Sequence, residues 1–243
     1  MAQTAIDEKT TQREPSSAEV VFGEIRRLGL EPNVFELEEK GYTIVPNAIP
    51  IDMVERMREV IIQQTADKTG GDRPDIETWD GGHLREGSYL LFEDQVFEKL
   101  ALNEYTVALM QYLLGRSMAL STIYSHVRAK GDPSLALHTD QWTLQLSAPV
   151  SVAVANYALV DYKRDHGAFA AVPGSNHLMR RPVSKEETDV YENPDCIPLE
   201  MSARNHQRFH KFAGKHFWDG WKREDTSLAK QIARRGTRRN SRS

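Results

Sequence analysis

A series of short apolar segments after residue 118 constrains the fold of this chain more than any other feature. Four such segments, rich in β-branched and aromatic residues and separated by turn residues, cover 119–128, 135–146, 150–160 and 169–172. Short strands at close intervals are typical of an all-β barrel or jelly roll. The sequence therefore predicts a mainly β fold with N-terminal helices, built on a double-stranded β-helix of the jelly-roll or cupin-like type. This barrel would be incomplete at its C-terminal end if the residues after 230, which have few apolar side chains, supply no closing strand.

The segments before residue 118 predict the helices that buttress this barrel. Apolar residues recur at helical spacing and are followed by Gly or Pro stop signals, which predicts helices over 18–28, 34–40, 52–64 and 92–114. A β-branched segment at 42–45, ended by Pro46, predicts a strand. The Gly-, Asp- and Pro-rich stretch 68–87 is typical of a long loop, and such a loop can border a substrate pocket.

The length of 243 residues indicates one domain, or one domain with a tail. No apolar run approaches the roughly 20 residues that cross a bilayer, and the polar first residues lack the apolar core of a signal peptide. The single cysteine, Cys196, excludes an intramolecular disulfide. The formal net charge of −4 argues against a nucleic-acid partner. We therefore expect a cytoplasmic protein that binds neither nucleic acid nor a membrane.

His138 and Asp140, in the run Leu-His-Thr-Asp-Gln-Trp, are the strongest candidates for metal ligands. Side chains two residues apart on an extended segment project to the same face, so both can bind one metal ion. With a more distant histidine they would form the 2-His-1-carboxylate triad of non-haem Fe(II) oxygenases. The alternative is a histidine at a strand end followed by a turn aspartate, because the H-x-D pattern is common by chance.

Five motifs, taken together, resemble one known family. They are residues 37–47, His138-Thr139-Asp140, Ala158-Leu159-Val160-Asp161, Gly167-Ala168-Phe169 and Val172-Pro173-Gly174-Ser175. In this order, residues 34–202 resemble the phytanoyl-CoA dioxygenase (PhyH-like) family of Fe(II)/2-oxoglutarate-dependent oxygenases. The resemblance implies a dioxygenase that hydroxylates an aliphatic carbon of a small organic or acyl substrate, with Fe(II), 2-oxoglutarate as cosubstrate, and O₂.

The resemblance also assigns roles to individual residues. His138 and Asp140 would bind the iron. Tyr157 occupies the position where the family has an aromatic residue near the cosubstrate, although a core tyrosine fits equally well. His177 ends the run Pro-Gly-Ser-Asn-His and is not an iron ligand in the family. Arg180 and Arg181 follow closely and would either meet an anionic substrate or lie on a solvated surface.

The resemblance ends after residue 202, where the family has a second iron histidine and then an arginine for 2-oxoglutarate. Overlaying 217–224 on the family pattern puts Asp219 at the histidine position and Lys230 at the arginine position. His216 in a shifted register, Asp219 as a carboxylate ligand or His210 would complete the metal site, unless no third ligand exists. Lys230 would form a single ion pair with 2-oxoglutarate, weaker than the two-pronged pair of an arginine, or is a solvated tail lysine.

The charge changes near the same point, since residues 203–243 carry twelve Lys and Arg against three Asp and Glu. We divide the chain into a disordered arm at 1–18, an oxygenase-like barrel domain with its helical buttress at 19–202, and a divergent basic segment at 203–243. Either a reading-frame error or a genuine basic tail explains the divergence. The loss of both the expected iron histidine and the expected arginine favours a reading-frame error. The alternatives to an active oxygenase are an impaired or inactive family member and a cupin-like metal protein, such as a zinc protein.

Overall fold

The structure is a computed structural model that describes residues 14–69, 90–127, 134–140, 152–164, 168–178, 180–200 and 206–210, with only the backbone at 68, 69 and 206–210. Helices precede most of the strands along the chain. The elements are α1 Ser17–Arg27, α2 Glu31–Lys40, β1 Tyr42–Pro46, α3 Ile51–Thr69, a 3₁₀-helix Leu90–Phe92, α4 Gln95–Ala101, α5 Glu104–Leu114, β2 Val154–Asn156, β3 Phe169–Ala171, a 3₁₀-helix Ser175–His177, α6 Lys185–Thr188, β4 Ile197–Leu199 and β5 His206–His210.

The N-terminal helices α1 and α2 lie close to their predicted positions, although α2 begins at Glu31, three residues before the predicted start. Ser16 caps α1 by accepting a hydrogen bond from the N–H of Glu19, and the Glu19 carboxylate accepts one from the Ser16 N–H in return. The helix α2 ends at Gly41, whose φ of 80° is the left-handed conformation that favours glycine. The predicted strand at 42–45 and helix at 52–64 correspond to β1 and α3.

The helix predicted over 92–114 is interrupted, and α4 and α5 form instead. The break lies at Leu102 and Asn103. Asn103 caps α5 because its side-chain oxygen accepts from the N–H of Thr106 at 3.1 Å. Its amide nitrogen also donates to the carbonyl of Ala48 at 2.7 Å, which ties the start of α5 to the segment between β1 and α3.

Five short strands form two small antiparallel sheets in the described part of the chain. The strand β5 lies between β1 and β2, with His210 opposite both Tyr42 and Val154. The strands β3 and β4 form the second sheet, in which Phe169 lies opposite Leu199. The start of the basic segment at 203–243 thus supplies the central strand of the larger sheet.

The expectation of a mainly β fold is wrong for the residues that the structure describes. Their strands are only three to five residues long, whereas the α-helices reach nineteen residues. Described residues of the segments 119–128 and 135–146 form no regular strand, and 141–146 lies outside the described residues. Leu120 and Leu135 are 57% and 56% exposed, so they lack the packed face from which strand preference arises. A complete barrel stays a prediction.

Most of the buried apolar side chains form two clusters. The first lies among α1, α2, β1 and α5 and contains Val21, Phe22, Ile25, Leu30, Val34, Leu37, Val45, Ala48, Ala108, Leu109, Met110, Tyr112 and Leu113. The second lies among α3, α4 and the 3₁₀-helix before α4 and contains Met57, Ile61, Leu90, Val96, Phe97 and Leu100, with Tyr157 and Leu159 packed against it. None of the described helices is long and apolar enough to span a membrane. The predicted loop 68–87 lies mostly outside the described residues.

A polar network around the buried Thr43 joins α2 to β1. The hydroxyl of Thr43, which is fully buried, donates to the Glu36 carboxylate at 2.6 Å and accepts from the Asn33 amide at 2.9 Å. Lys40 also donates to Glu36 at 2.9 Å. Burial alone would raise the pKa of Glu36, but the hydrogen bonds from Thr43 and Lys40 outweigh it and lower the pKa. These hydrogen bonds fix the position of β1 relative to α2.

Replacing Thr43 by Val tests this network. The substitution keeps the shape of the side chain but removes one hydrogen bond each from the Asn33 amide and the Glu36 carboxylate, both of which are partly buried. We expect the free energy of unfolding to fall by about 1–3 kcal/mol in urea titrations. The matched control is Thr122→Val, because Thr122 is exposed and should change stability by less than about 0.5 kcal/mol. Equal losses in the two variants would contradict the account.

Candidate metal centre

His138 and Asp140 lie on the same side of the described segment 134–140. The Nε2 atom of His138 is 3.6 Å from Oδ1 of Asp140, and their side chains are 38% and 22% exposed. The Nδ1 atom of His138 lies 2.7 Å from the carbonyl oxygen of Ala136. The hydrogen bond to Asp140 and the bond to Ala136 raise the pKa of His138, against the opposing effect of burial.

This geometry fits a metal ion bound by His138 and Asp140. A carbonyl oxygen only accepts hydrogen bonds, so Nδ1 carries the proton in the bond to Ala136 and Nε2 is the ring nitrogen suited to a metal. Metal-binding histidines commonly donate their other N–H to a carbonyl or carboxylate, which fixes the ring orientation. The two side chains supply one imidazole and one carboxylate, the first two donors of a facial triad.

The third predicted ligand is not described. Among the side chains that the structure describes, no group of three His, Cys, Asp or Glu residues could hold a metal ion. His216, Asp219 and Lys230 lie outside the described residues. The backbone of His210 lies on β5, opposite Tyr42 and Val154. The identity of a third ligand therefore stays a prediction.

Tyr157 directly follows β2, packs against the second apolar cluster and contacts α5. Its hydroxyl forms a very short hydrogen bond with the hydroxyl of Thr106 on α5. Burial raises the pKa of Tyr157 to about 12, although the bond with Thr106 lowers it. The Thr106 hydroxyl also bonds to the Asn103 side chain at 3.1 Å. These contacts agree with the core-tyrosine alternative, and a role for Tyr157 near the cosubstrate stays a prediction.

Residues 180–193 contact the His138 segment directly, and the sequence did not predict this contact. The N–H of Leu137 donates to the carbonyl of Thr188 at 2.7 Å, and the Ser134 hydroxyl donates to the Tyr191 hydroxyl at 3.0 Å. We call residues 180–193 the brace. The local signal that could have indicated its order is the pattern Ser184-x-x-Glu187, which is a capping box and forms one in the structure.

Glu187 organises the brace. Its carboxylate pairs with the Arg180 guanidinium and accepts from the N–H groups of Val183 at 2.9 Å and Ser184 at 3.3 Å. The Arg180 pair and these backbone bonds lower the pKa of Glu187 to about 2. Arg180 is exposed and pairs with Glu187, which agrees with the alternative of a solvated surface.

The Pro-Gly-Ser-Asn-His turn docks on the C-terminal end of α2. The N–H of Gly174 donates to the carbonyl of Lys40 at 3.0 Å, and the Asn176 amide donates to the carbonyl of Glu38 at 3.1 Å. Nε2 of His177 lies 3.1 Å from the carbonyl of Glu39. The last carbonyls of a helix lack partners within the helix, so this turn caps α2. The structure places His177 at this cap.

Gly41 allows the close approach of the turn. A Cβ atom at this position would lie 2.9 Å from Cγ of Asn176, and the φ of Gly41 is 80°. Real Cβ atoms essentially never come so near another heavy atom. Both backbone conformation and space therefore favour glycine here.

Gly41→Ala and Gly29→Ala separate these two causes. Gly29 lies in the turn that ends α1 and also has a positive φ, 66°, but no atom lies within 4 Å of its hypothetical Cβ. Both variants should be destabilised because alanine is strained at a positive φ. Only Gly41→Ala should also disturb the packing of the turn, so we expect it to be less stable than the other variant by a further ~1–3 kcal/mol. Chemical denaturation measures the difference. Equal destabilisation of the two variants would mean that the turn does not pack on Gly41 as described.

Comparisons with known proteins identify the family and the fold of this chain. A family model described as phytanoyl-CoA dioxygenase matches residues 37–224. HygX from Streptomyces hygroscopicus, solved with nickel and 2-oxoglutarate bound, has a TM-score of 0.53 at 17% identity, and the match covers 75% of this chain and 78% of HygX. EvdMO1 has a TM-score of 0.52 at 16% identity. The match covers 75% of this chain and 44% of EvdMO1, so the chain spans less than half of that protein. At these identities the structural likeness shows the fold alone.

Proposed function

The chain belongs to the phytanoyl-CoA dioxygenase family, and from this premise we propose that it is an Fe(II)/2-oxoglutarate-dependent dioxygenase. The observation that carries the proposal is the convergence of His138 Nε2 and Asp140 Oδ1, 3.6 Å apart, within the residues that the family model matches. The fold likeness to HygX, which holds nickel and 2-oxoglutarate, agrees with it. The proposal includes a jelly-roll barrel around this site.

The protein's own groups prepare the site for a metal ion. The Ala136 carbonyl holds the proton of His138 on Nδ1, so that Nε2 faces Asp140. Metal binding needs a neutral imidazole and an ionised carboxylate, and therefore displaces any proton that Asp140 stabilises on His138. When bound, iron with 2-oxoglutarate and O₂ supplies the oxidising chemistry that converts an aliphatic C–H bond to an alcohol.

The remaining ligands are proposed from sequence alone. His216 or Asp219 completes the metal site, and Lys230 pairs with the distal carboxylate of 2-oxoglutarate. A lysine offers one point charge where an arginine offers a two-pronged fork, so we expect weak cosubstrate binding. The substrate is a small organic molecule or acyl conjugate, and the site of action is the cytoplasm.

A second candidate function is that of an impaired or inactive family member. Asp219 and Lys230 stand at the positions where the family pattern has histidine and arginine, which favours this alternative. Such a protein would retain the fold and the His138–Asp140 pair but fail to assemble the complete site. The two candidates differ in whether the purified protein binds iron together with 2-oxoglutarate.

Anaerobic titration with Fe(II) and then 2-oxoglutarate decides between them. We expect the visible metal-to-ligand charge-transfer band in the wild type, because chelated 2-oxoglutarate produces it only on a metal bound by the protein. The band should be absent in His138→Ala and Asp140→Ala, which remove the proposed ligands. The matched control is Asp195→Ala, which removes an exposed carboxylate outside the site and should leave the band unchanged. Folded wild-type protein without a band would support the inactive alternative.

A further inference from the structure

We propose that Glu187 is a positioning residue for the metal centre, acting through the brace on the His138 ring. The proposal rests on the proposed function, because it treats His138 and Asp140 as metal ligands. It adds a residue that no sequence motif connects to the site. Glu187 lies 49 positions from His138 along the chain and reaches it through a series of main-chain contacts.

The first step is the effect of Glu187 on α6. This helix has only four residues, and a single helical turn has almost no stability of its own. The Glu187 carboxylate accepts from the N–H groups of Val183 and Ser184 and pairs with Arg180. The main-chain carbonyl of Glu187 accepts a hydrogen bond from the side-chain amide of Asn193 at 3.1 Å, which fixes the C-terminal end of the brace. These bonds hold the helix in its conformation.

The second step joins α6 to the His138 segment. The carbonyl of Thr188, the residue after Glu187, accepts the Leu137 N–H at 2.7 Å. The Leu137 nitrogen belongs to the same peptide group as the Ala136 carbonyl, and a peptide group is rigid and planar. That carbonyl is the acceptor for Nδ1 of His138 at 2.7 Å. One rigid plane therefore connects the brace to the imidazole ring.

The third step is the consequence for metal binding. If α6 loosens, the Ala136–Leu137 peptide group can rotate, and the His138 ring loses the acceptor that sets its orientation. Loss of partners that orient metal ligands typically weakens metal affinity by about 10–100-fold. Glu187 acts indirectly and does not itself supply a ligand, so we expect an effect of about tenfold, at the lower end of this range.

The experiment compares Glu187→Ala with Glu186→Ala. Both substitutions remove one carboxylate from the same helical turn, but Glu186 is exposed and is not the residue of the capping box. The dissociation constant for Fe(II) in the presence of 2-oxoglutarate is measured anaerobically from the charge-transfer band. The hydrogen-exchange rate of the Leu137 amide is measured by NMR on the metal-free protein. Glu187→Gln, which retains an acceptor oxygen, provides a milder variant if Glu187→Ala does not fold.

We expect Glu187→Ala to raise the dissociation constant about tenfold and to accelerate exchange of the Leu137 amide. Glu186→Ala should change neither, and Glu187→Gln should recover part of the affinity. An unchanged dissociation constant in both Glu187 variants would overturn the proposal. If the wild type itself binds no metal, the proposed function fails and with it the role of Glu187 at a metal centre. In that case, unaltered Leu137 exchange would refute the brace as well.

Discussion

The capping of α2 by the turn at 174–177 is the interaction on which the described structure most depends. It joins the N-terminal helices to the strand-bearing half of the chain, because the N–H of Gly174 and the side chains of Asn176 and His177 meet the last three carbonyls of α2. The absence of a side chain at Gly41 permits this approach. The same helix is bound to β1 through Thr43, so one helix fixes the position of both sheet and turn.

The sequence predicted the local features of the fold well. Helix α1 has a capping box, α2 ends at a glycine, and the apolar spacing of α3 is regular, so the information lies within a few residues. The interruption at Asn103 was missed because the amide of Asn103 bonds to Ala48, 55 residues away, in addition to capping α5. The mainly β prediction failed in the described residues because strand preference depends on packing, which a short apolar pattern does not determine.

In the candidate site too, the local arrangement was predicted from the sequence and the long-range contact was not. The two-residue spacing of His138 and Asp140 predicted their convergence, and the 3.6 Å separation of their side chains agrees with it. The contact of the brace with the His138 segment could not be predicted. Leu137 and Thr188 are joined by a main-chain hydrogen bond, which does not require particular side chains at either position. Motifs are patterns of side chains, so they do not reveal which backbone atoms orient a metal ligand. The local signal from which order in this region could have been predicted is the capping-box pattern of Ser184 and Glu187.

The segment after residue 202 contributes to the fold despite its basic composition. Residues 206–210 form the central strand between β1 and β2, and the family model continues to residue 224. Both observations extend past the boundary drawn from sequence at residue 202. The backbone of this strand pairs with both neighbours, with His210 opposite Tyr42 on one side and Val154 on the other. The basic segment therefore takes part in the larger sheet.

The central claim is that His138 and Asp140 bind iron. The most direct measurement is a crystal structure of the protein grown anaerobically with Fe(II) and 2-oxoglutarate, with anomalous scattering recorded at the iron edge. The account predicts an anomalous peak within bonding distance of His138 Nε2 and an Asp140 carboxylate oxygen, with the Ala136 carbonyl still accepting from Nδ1. Ordered His138 and Asp140 side chains with no anomalous peak between them, at saturating iron, would contradict it.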